Sequence, residues 1–386
     1  MNYLLAVFIF GAVILAYIVF KRKMQYWIFS YLRGCLFNKR LLPRKIPVDV
    51  IFCFVDHFEP KRGKPGLPIE KKRMDFWAHQ YPAVAARHKD CDGFMPQHTF
   101  FYPAEEYEES YIDTLAGMCR QGLGEVEIHL HHENDTAENL KLTIEGFKSK
   151  LADKGLLSKE KVSGALKYGF IHGVWALGNS LKGGKHCGVN NELSALKDTG
   201  CYADFTLPAV FSEAQTRKIN SIYYAQDTGK PKPHDTGEDV YSGKPASGGL
   251  MIIQGPLAFD LRRRKFGIFP KVEYGEISVT HAPDPDRVDL WIRQRIAVKN
   301  RPEWIFVKVY THGVRDDNLD ERYFTNLDRM FSYLEANYND GKSYRLHYVS
   351  AREMYNIIKA AEAGKEGNPG EFRDYILDKP AARRAA

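Results

Sequence analysis

Residues 48–60 read VDVIFCFVDHFEP, an apolar run too short for a globular helix and rich in β-branched and aromatic residues. Such a run predicts a buried strand ending near Asp56, and its tip carries three titratable groups, Asp56, His57 and Glu59. Buried strands rarely carry charged tips for the sake of packing. Similar short apolar runs recur at 97–102, 125–131, 168–172, 250–254, 305–311 and 344–349. Helical patterns lie between many of them, at 105–121, 136–151, 191–199 and 320–337, and Ser350 with Glu353 forms a capping box opening a last helix. Strands alternating with helices predict a parallel α/β architecture, either a barrel or an open doubly wound sheet, in which sites are built at the C-terminal ends of strands.

Upstream of this region, residues 3–20 (YLLAVFIFGAVILAYIVF) carry no charge and approach the roughly 20 residues needed to cross a bilayer. Lys21, Arg22 and Lys23 follow the run rather than precede it, unlike a cleaved signal peptide, so residues 1–20 are expected to remain as a transmembrane anchor. The basic segment 21–46 holds eight Lys/Arg and no acid; removing these from the net charge of +7 leaves the rest near −1. Basicity confined to this place points to anionic lipid headgroups, not nucleic acid, and the positive-inside tendency puts the following domain on the cytoplasmic face of the cell membrane. Residues 24–45 mix Tyr26, Trp27, Phe29, Tyr31 and Leu32 with bases, as either an interfacial helix or a domain-packing helix would. A composition of 44% hydrophobic and 27% charged residues excludes wholesale disorder. Six cysteines without CxxC spacing predict buried free thiols rather than a zinc knuckle or a disulfide framework. The main domain is expected over 47–363, with a long Gly/Pro/Asp loop at 225–249 as a lid or disordered stretch and a flexible tail at 364–386.

Two other strand ends concentrate chemistry: EVEIHLHHEND, with His129, His131, His132, Glu133 and Asp135, and FVKVYTHG, with His312. Residues i and i+2 of a strand share a face, so His129 and His131 point together while His132 points away. Two imidazoles converging beside another polar strand end make a zinc-type site plausible chemistry. The spacing is not HExxH, which excludes a helix-borne metalloprotease site on pattern.

These segments together resemble the polysaccharide deacetylases of the NodB-homology type, metal-dependent carbohydrate esterases on a distorted (β/α) barrel, over roughly residues 48–361. The resemblance of FVDH to that family's TFDD motif implies Asp56 as catalytic base and His57 in place of a metal-binding Asp. EIHLHHEND is similar to its second motif and implies His131 and Asp135 as ligands; VYTHG is similar to its last motif and implies His312 as general acid. The chain departs from the pattern at His57 and Asp135 and lacks an RxPxG segment, so His129 or Glu59 is open as a further ligand. The resemblance thus implies a divergent member holding a divalent metal, zinc with nickel or cobalt as alternatives, through His131, Asp135 and either His57 or His129.

Trp175, Asn179, Asn191 and Glu192 surround other predicted strand ends and suit stacking on, and hydrogen bonding to, a sugar; Trp175 fits a core position equally well. His172 is read as a satisfied core histidine. The expectation is a membrane-anchored carbohydrate N-deacetylase acting on a lipid-linked sugar or polysaccharide of the cell envelope. The alternatives are a metal-dependent deformylase or esterase, or a non-catalytic carbohydrate-binding relative. A glycosidase needs two carboxylates astride a cleft, and Asp56 and Glu59 are neighbours on one segment.

Overall fold

Two helices, α1 (Asn2–Lys21) and α2 (Ile28–Phe37), precede the first strand, β1 (Val48–His57), in a computed structural model that describes residues 2–37, 47–245 and 248–384. Helices and strands then alternate through α3 (Leu67–Ala85), β2 (His98–Pro103), α4 (Glu109–Arg120), β3 (Gly124–Leu130) and α5 (Ala137–Asp153). The short β4 (Ser158–Lys159) turns back on β5 (Leu166–His172), and α6 (Glu192–Asp198), β6 (Cys201–Asp204), β7 (Ile222–Ala225), β8 (Glu238–Asp239) and β9 (Leu250–Ile253) follow. A hairpin of β10 (Ala258–Lys265) and β11 (Phe269–Glu273) leads to β12 (Glu276–Ile277) and α7 (Pro285–Arg293). The chain closes with β13 (Trp304–Thr311), α8 (Glu321–Tyr338), β14 (Tyr344–Val349), α9 (Ala351–Glu362) and α10 (Ala381–Arg384).

The strands form a mixed sheet, largely parallel and barrel-like, in the order β12-β13-β1-β2-β3-β5-β6-β9-β7-β8. Along one edge β1 pairs with β13 from Asp49 to Asp56; along the other it pairs first with β14 and then, from Phe54 to His57, with β2. Pairings of β7 with β9 and β8 are antiparallel. Lys308 of β13 reaches across and donates from Nζ to the Leu207 carbonyl, just past β6, at 2.6 Å, a side-chain tie between strands that share no ladder among the described residues.

Alternation along β1 sets the two faces. Val50, Phe52 and Phe54 pack outward against α3, α4 and α8, while Ile51, Cys53 and Val55 point inward to meet Phe101, Ile171, Ala203 and Phe306. Helix α9 is part of this inner cluster through Met354, Ile357 and Ile358. Its Arg352 is fully buried and pairs with Glu125 near the start of β3, placing α9 at the end of the barrel opposite the strand tips. The capping box expected at Ser350 and Glu353 is present and starts this helix.

Several expectations need correction. The tail is not loose over its described part: Arg373 is buried against Asp90 and Glu353, Asn356 of α9 donates to the Arg373 and Leu377 carbonyls, and Leu377 bridges to Glu160. The 225–249 loop carries β8 and a tight turn at Pro233–Asp235 in which His234 is fully buried; residues 246 and 247 lie outside the described residues. Trp27 is fully buried, 5.0 Å from Phe259 of the hairpin, and Tyr31 meets the same ring at 5.1 Å, so the segment after α1 packs on the domain. Among the described residues no helix is long and apolar enough to cross a membrane. The side chains at positions 2, 4 and 6 of α1, and residues 38–46 of the basic segment, lie outside the described set. Of the cysteines, all free, Cys53, Cys119, Cys187 and Cys201 are buried as expected, whereas Cys35 and Cys91 are exposed.

Candidate metal centre

His57 is the last residue of β1 and Glu59 stands two residues on, so the strand's alternation carries both toward the barrel axis. His129 near the end of β3 and His131 just beyond it converge on the same carboxylate: Glu59 Oε1 is 3.2 Å from Nε2 of each. Donor atoms of His57, Glu59 and His129 all lie within 4.8 Å of one another. His312, just past β13, stacks on His57 with ring centroids 4.6 Å apart. Five side chains from three strand ends thus meet at one end of the barrel, where an α/β fold builds its sites.

Each imidazole beside Glu59 is oriented from behind. His129 Nδ1 donates to the Ile171 carbonyl at 2.8 Å, which turns Nε2 toward Glu59. His131 Nδ1 lies 2.6 Å from Glu105 Oε1, whose oxygen also accepts the His131 backbone N–H at 3.1 Å. Gly173 permits this placement, since a Cβ there would sit 2.2 Å from the His131 ring. A carboxylate or carbonyl holding the far nitrogen of a histidine is the arrangement that fixes ligand tautomers around a metal.

The electrostatics follow from this crowding. Burial alone would raise the Glu59 carboxyl, but hydrogen bonds from His129 and His131 outweigh it and hold the group far below the usual carboxylate range. Burial would lower His131, yet Glu105 and Glu59 push it up to about 10. His57 falls well below its ordinary value through burial, reinforced by His312 and His129, and burial takes His312 down to about 3. The Glu59 carboxylate and the His131 imidazolium thus stand beside the neutral rings of His57 and His312. A nitrogen and oxygen donor set with fixed tautomers fits a divalent ion of the zinc type. Glu59 and His129, with His57 or His131, are the residues that would hold it.

The structure sorts the residues expected from the sequence. His57, His129, His131 and His312 are brought together, and Glu59, an open alternative in the sequence, sits at their centre. Asp56 is not in the group: one residue before His57, it faces the other side of β1, fully buried among α3 and α8. Its Oδ1 accepts from the Gly313 N–H at 2.8 Å and its Oδ2 lies 3.0 Å from His98 Nε2, so both oxygens are engaged in holding the turn that carries His312. Gly313 has no Cβ because one would lie 2.4 Å from that carboxylate. Asp135 pairs with His132, at 3.0 Å, rather than joining His131.

Of the four residues expected to bind sugar, Trp175 alone borders the cluster, its ring 5.9 Å from His57 and 6.1 Å from His312. Tyr310 completes that aromatic side, 5.8 Å from His57. Asn179 is tied into its own loop by Asn190 and Gly188, Glu192 is fully buried against His132 and His172, and Asn191 is exposed at the start of α6. Sequence reasoning missed Glu105 and Arg62, the latter paired with Glu59 at 2.8 Å. Glu105 stands two residues past β2, and the strand-end rule that singled out His57 and His131 applies to it equally.

No protein-family model matches the chain, and no curated protein matches it. Among solved structures, a 4-alpha-glucanotransferase from Thermococcus litoralis is 12% identical with a TM-score of 0.40, covering 78% of this chain and 39% of its own. A protein from Parabacteroides distasonis, provisionally named a glycoside hydrolase/deacetylase, is 10% identical with a TM-score of 0.43, covering 80% of this chain and 71% of its own. Both neighbours are carbohydrate-processing proteins by name. The chain spans well under half the length of the glucanotransferase, and at such low similarity neither likeness bears on the chemistry.

Proposed function

We propose that the chain is a metal-dependent hydrolase that removes an acyl group from the nitrogen of an amino sugar, working at a membrane on a lipid-linked sugar or polysaccharide. The observation that carries this reading is the Glu59 carboxylate flanked by histidines of fixed tautomer at the open end of the barrel. When bound there, a divalent ion supplies Lewis acidity toward the acyl carbonyl and toward water.

The chain's own groups account for the rest. His312 Nδ1 is buried without a hydrogen-bond partner and so is free to take a proton from the attacking water. The same nitrogen then returns it to the departing amine, which leaves poorly as an anion. This gives His312 both proton transfers, with Asp56 as a positioning residue that fixes the His312–Gly313 turn. Trp175 and Tyr310 offer flat apolar faces against which a sugar ring stacks. Arg62, half exposed beside Glu59, is placed to meet an anionic part of the substrate.

Membrane attachment is supported by two neighbouring features. Helix α1 exposes Phe8, Phe10 and Phe20, and the hairpin tip exposes Phe266 (81%) and Ile268 (70%) beside Arg262, Arg264, Lys265 and Lys271. Exposed apolar side chains ringed by bases suit an anionic bilayer surface. An assay of amine release from N-acetylated monosaccharides and from lipid-linked saccharides, with the full chain in vesicles, tests the reading. Release confined to metal-loaded protein and abolished by His129→Ala is expected; ester or formyl cleavage without amine release from any acetamido sugar rejects the deacetylase assignment.

A further inference from the structure

A second cluster lies beyond the groups used above. His132, His172, Cys187 and Glu192 bring one donor atom each within 4.8 Å of the others, drawn from the end of β3, the end of β5, the loop before α6 and the first residue of α6. His172, Cys187 and Glu192 are fully buried. Glu192 Oε1 is 3.1 Å from His132 Nε2 and 3.4 Å from His172 Nε2, and its Oε2 is 3.4 Å from Cys187 Sγ.

The tautomer of His172 makes this more than a polar network. Its Nδ1 donates to the Gly173 carbonyl at 2.6 Å, so in the neutral ring the proton is on Nδ1 and the Nε2 lone pair faces a carboxylate. That Nε2 is buried and has no hydrogen-bond partner. Two lone pairs facing each other in a buried site repel unless a cation lies between them. On the far side of His132, Nδ1 lies 3.0 Å from Asp135 Oδ2 without forming a hydrogen bond, while Asp135 Oδ1 is fixed by the Thr136 N–H at 2.8 Å and Asn139 Nδ2 at 2.7 Å. Ligands about 2.1 Å from a tetrahedral ion stand roughly 3.4 Å apart, close to the 3.1 and 3.4 Å that separate Glu192 Oε1 from the two imidazole nitrogens.

We propose that His132, His172, Cys187 and Glu192 form a closed four-ligand site for a zinc-class ion, distinct from the centre at Glu59. With two imidazoles, a thiolate and a carboxylate it leaves no position for water, so its role is structural. It pins the ends of β3 and β5 and the turn Gly173–Trp175, and thereby the Trp175 ring beside His57. Binding forms a metal–thiolate bond and releases the Cys187 proton to solvent.

Cobalt(II) titration of chelator-stripped full-length protein tests this, because a sulfur-to-cobalt charge-transfer band reports a thiolate ligand and the Glu59 centre has none. The band's intensity is expected to correspond to one thiolate-bound cobalt per chain, to persist in Glu59→Gln and Cys91→Ser, and to vanish in Cys187→Ser. Absence of the band from the wild type, or its loss in Cys91→Ser with retention in Cys187→Ser, overturns the proposal. Should Cys187→Ser fail to fold, X-ray absorption on the zinc-loaded wild type decides: a sulfur scatterer near 2.3 Å is required, and a shell of nitrogen and oxygen alone rejects the site.

Discussion

Replacing Arg352 with Met should destabilise the protein severely while sparing its chemistry. Arg352 is fully buried; its Nη2 and Nε donate to Glu125 at 2.8 and 3.0 Å, and its Nη1 donates to Asp374 at 2.6 Å and to the Leu377 carbonyl at 3.0 Å. Methionine fills much of the same volume but leaves Glu125 charged and without its bidentate partner. Breaking one side of a buried pair costs about 3–5 kcal/mol. The tail carbonyls lose less, since Asn356 still donates to both Arg373 and Leu377. At about 2 °C per kcal/mol for a domain of this size, the melting temperature should fall by roughly 6–10 °C. Differential scanning fluorimetry of wild type, Arg352→Met and Arg352→Met/Glu125→Gln measures it. The double variant, with no stranded charge, should recover part of the loss, and turnover per folded molecule should be unchanged in both because α9 lies opposite the site. A drop below about 2 °C, or a double variant no more stable than the single, would refute the assignment of this pair as the tie between α9, the tail and the sheet.

Three further outcomes follow from other residues. His347 is buried between Asp49 and Asp92, and although burial would lower it, their hydrogen bonds push it up to about 10. Its stabilising charge is fully present below its unfolded value near 6.5 and is lost as pH rises toward 10, an upper bound of ~5 kcal/mol. Urea midpoints should therefore decline between pH 7 and 10 in the wild type and decline less in His347→Phe. Glu105→Gln should weaken metal binding at the Glu59 centre by about 10- to 100-fold while the circular dichroism spectrum stays unchanged, as read by competition with a chromogenic chelator. Phe266→Ser/Ile268→Ser should reduce the depth-dependent quenching of a reporter in the hairpin by brominated lipids; undiminished quenching would remove the hairpin from the membrane-facing surface.

Much of this arrangement was legible from strand tips. A two-residue period assigns His129 and His131 to one face and His132 to the other, and the structure divides them in that way between two clusters. The positions of β1, β2, β3, β5, β9, β13 and β14 were legible because buried parallel strands are continuous apolar runs between turn signals, whereas the short β6 and β7 and the exposed hairpin β10–β11 carry no such run. The same period, applied to Asp56 and His57, puts them on opposite faces, which the motif resemblance obscured. Asp135 was misplaced for a related reason: spacing along the sequence does not say which imidazole a loop residue will fold back to meet. Tail order was not legible because it depends on two polar side chains of α9, Arg352 and Asn356, reaching residues far along the chain. Helix α3 was missed because Glu70 and Arg73 are buried on its packed face, blurring the apolar stripe. Arg73 is accommodated by donating to the Pro60 carbonyl at 2.7 Å, a contact no local pattern announces.

The proposed function requires that the carboxylate and histidines around Glu59 form a metal-dependent centre for amide hydrolysis. Its most direct test is the rate of amine release from an N-acetylated, lipid-linked saccharide by the full chain before chelation, after chelation and after zinc is restored, with Glu59→Gln alongside. Activity should be lost on chelation and regained on reloading, and Glu59→Gln should be roughly a thousandfold slower both before chelation and after reloading. Amine release that survives complete metal removal, or that Glu59→Gln supports at the wild-type rate, would contradict it.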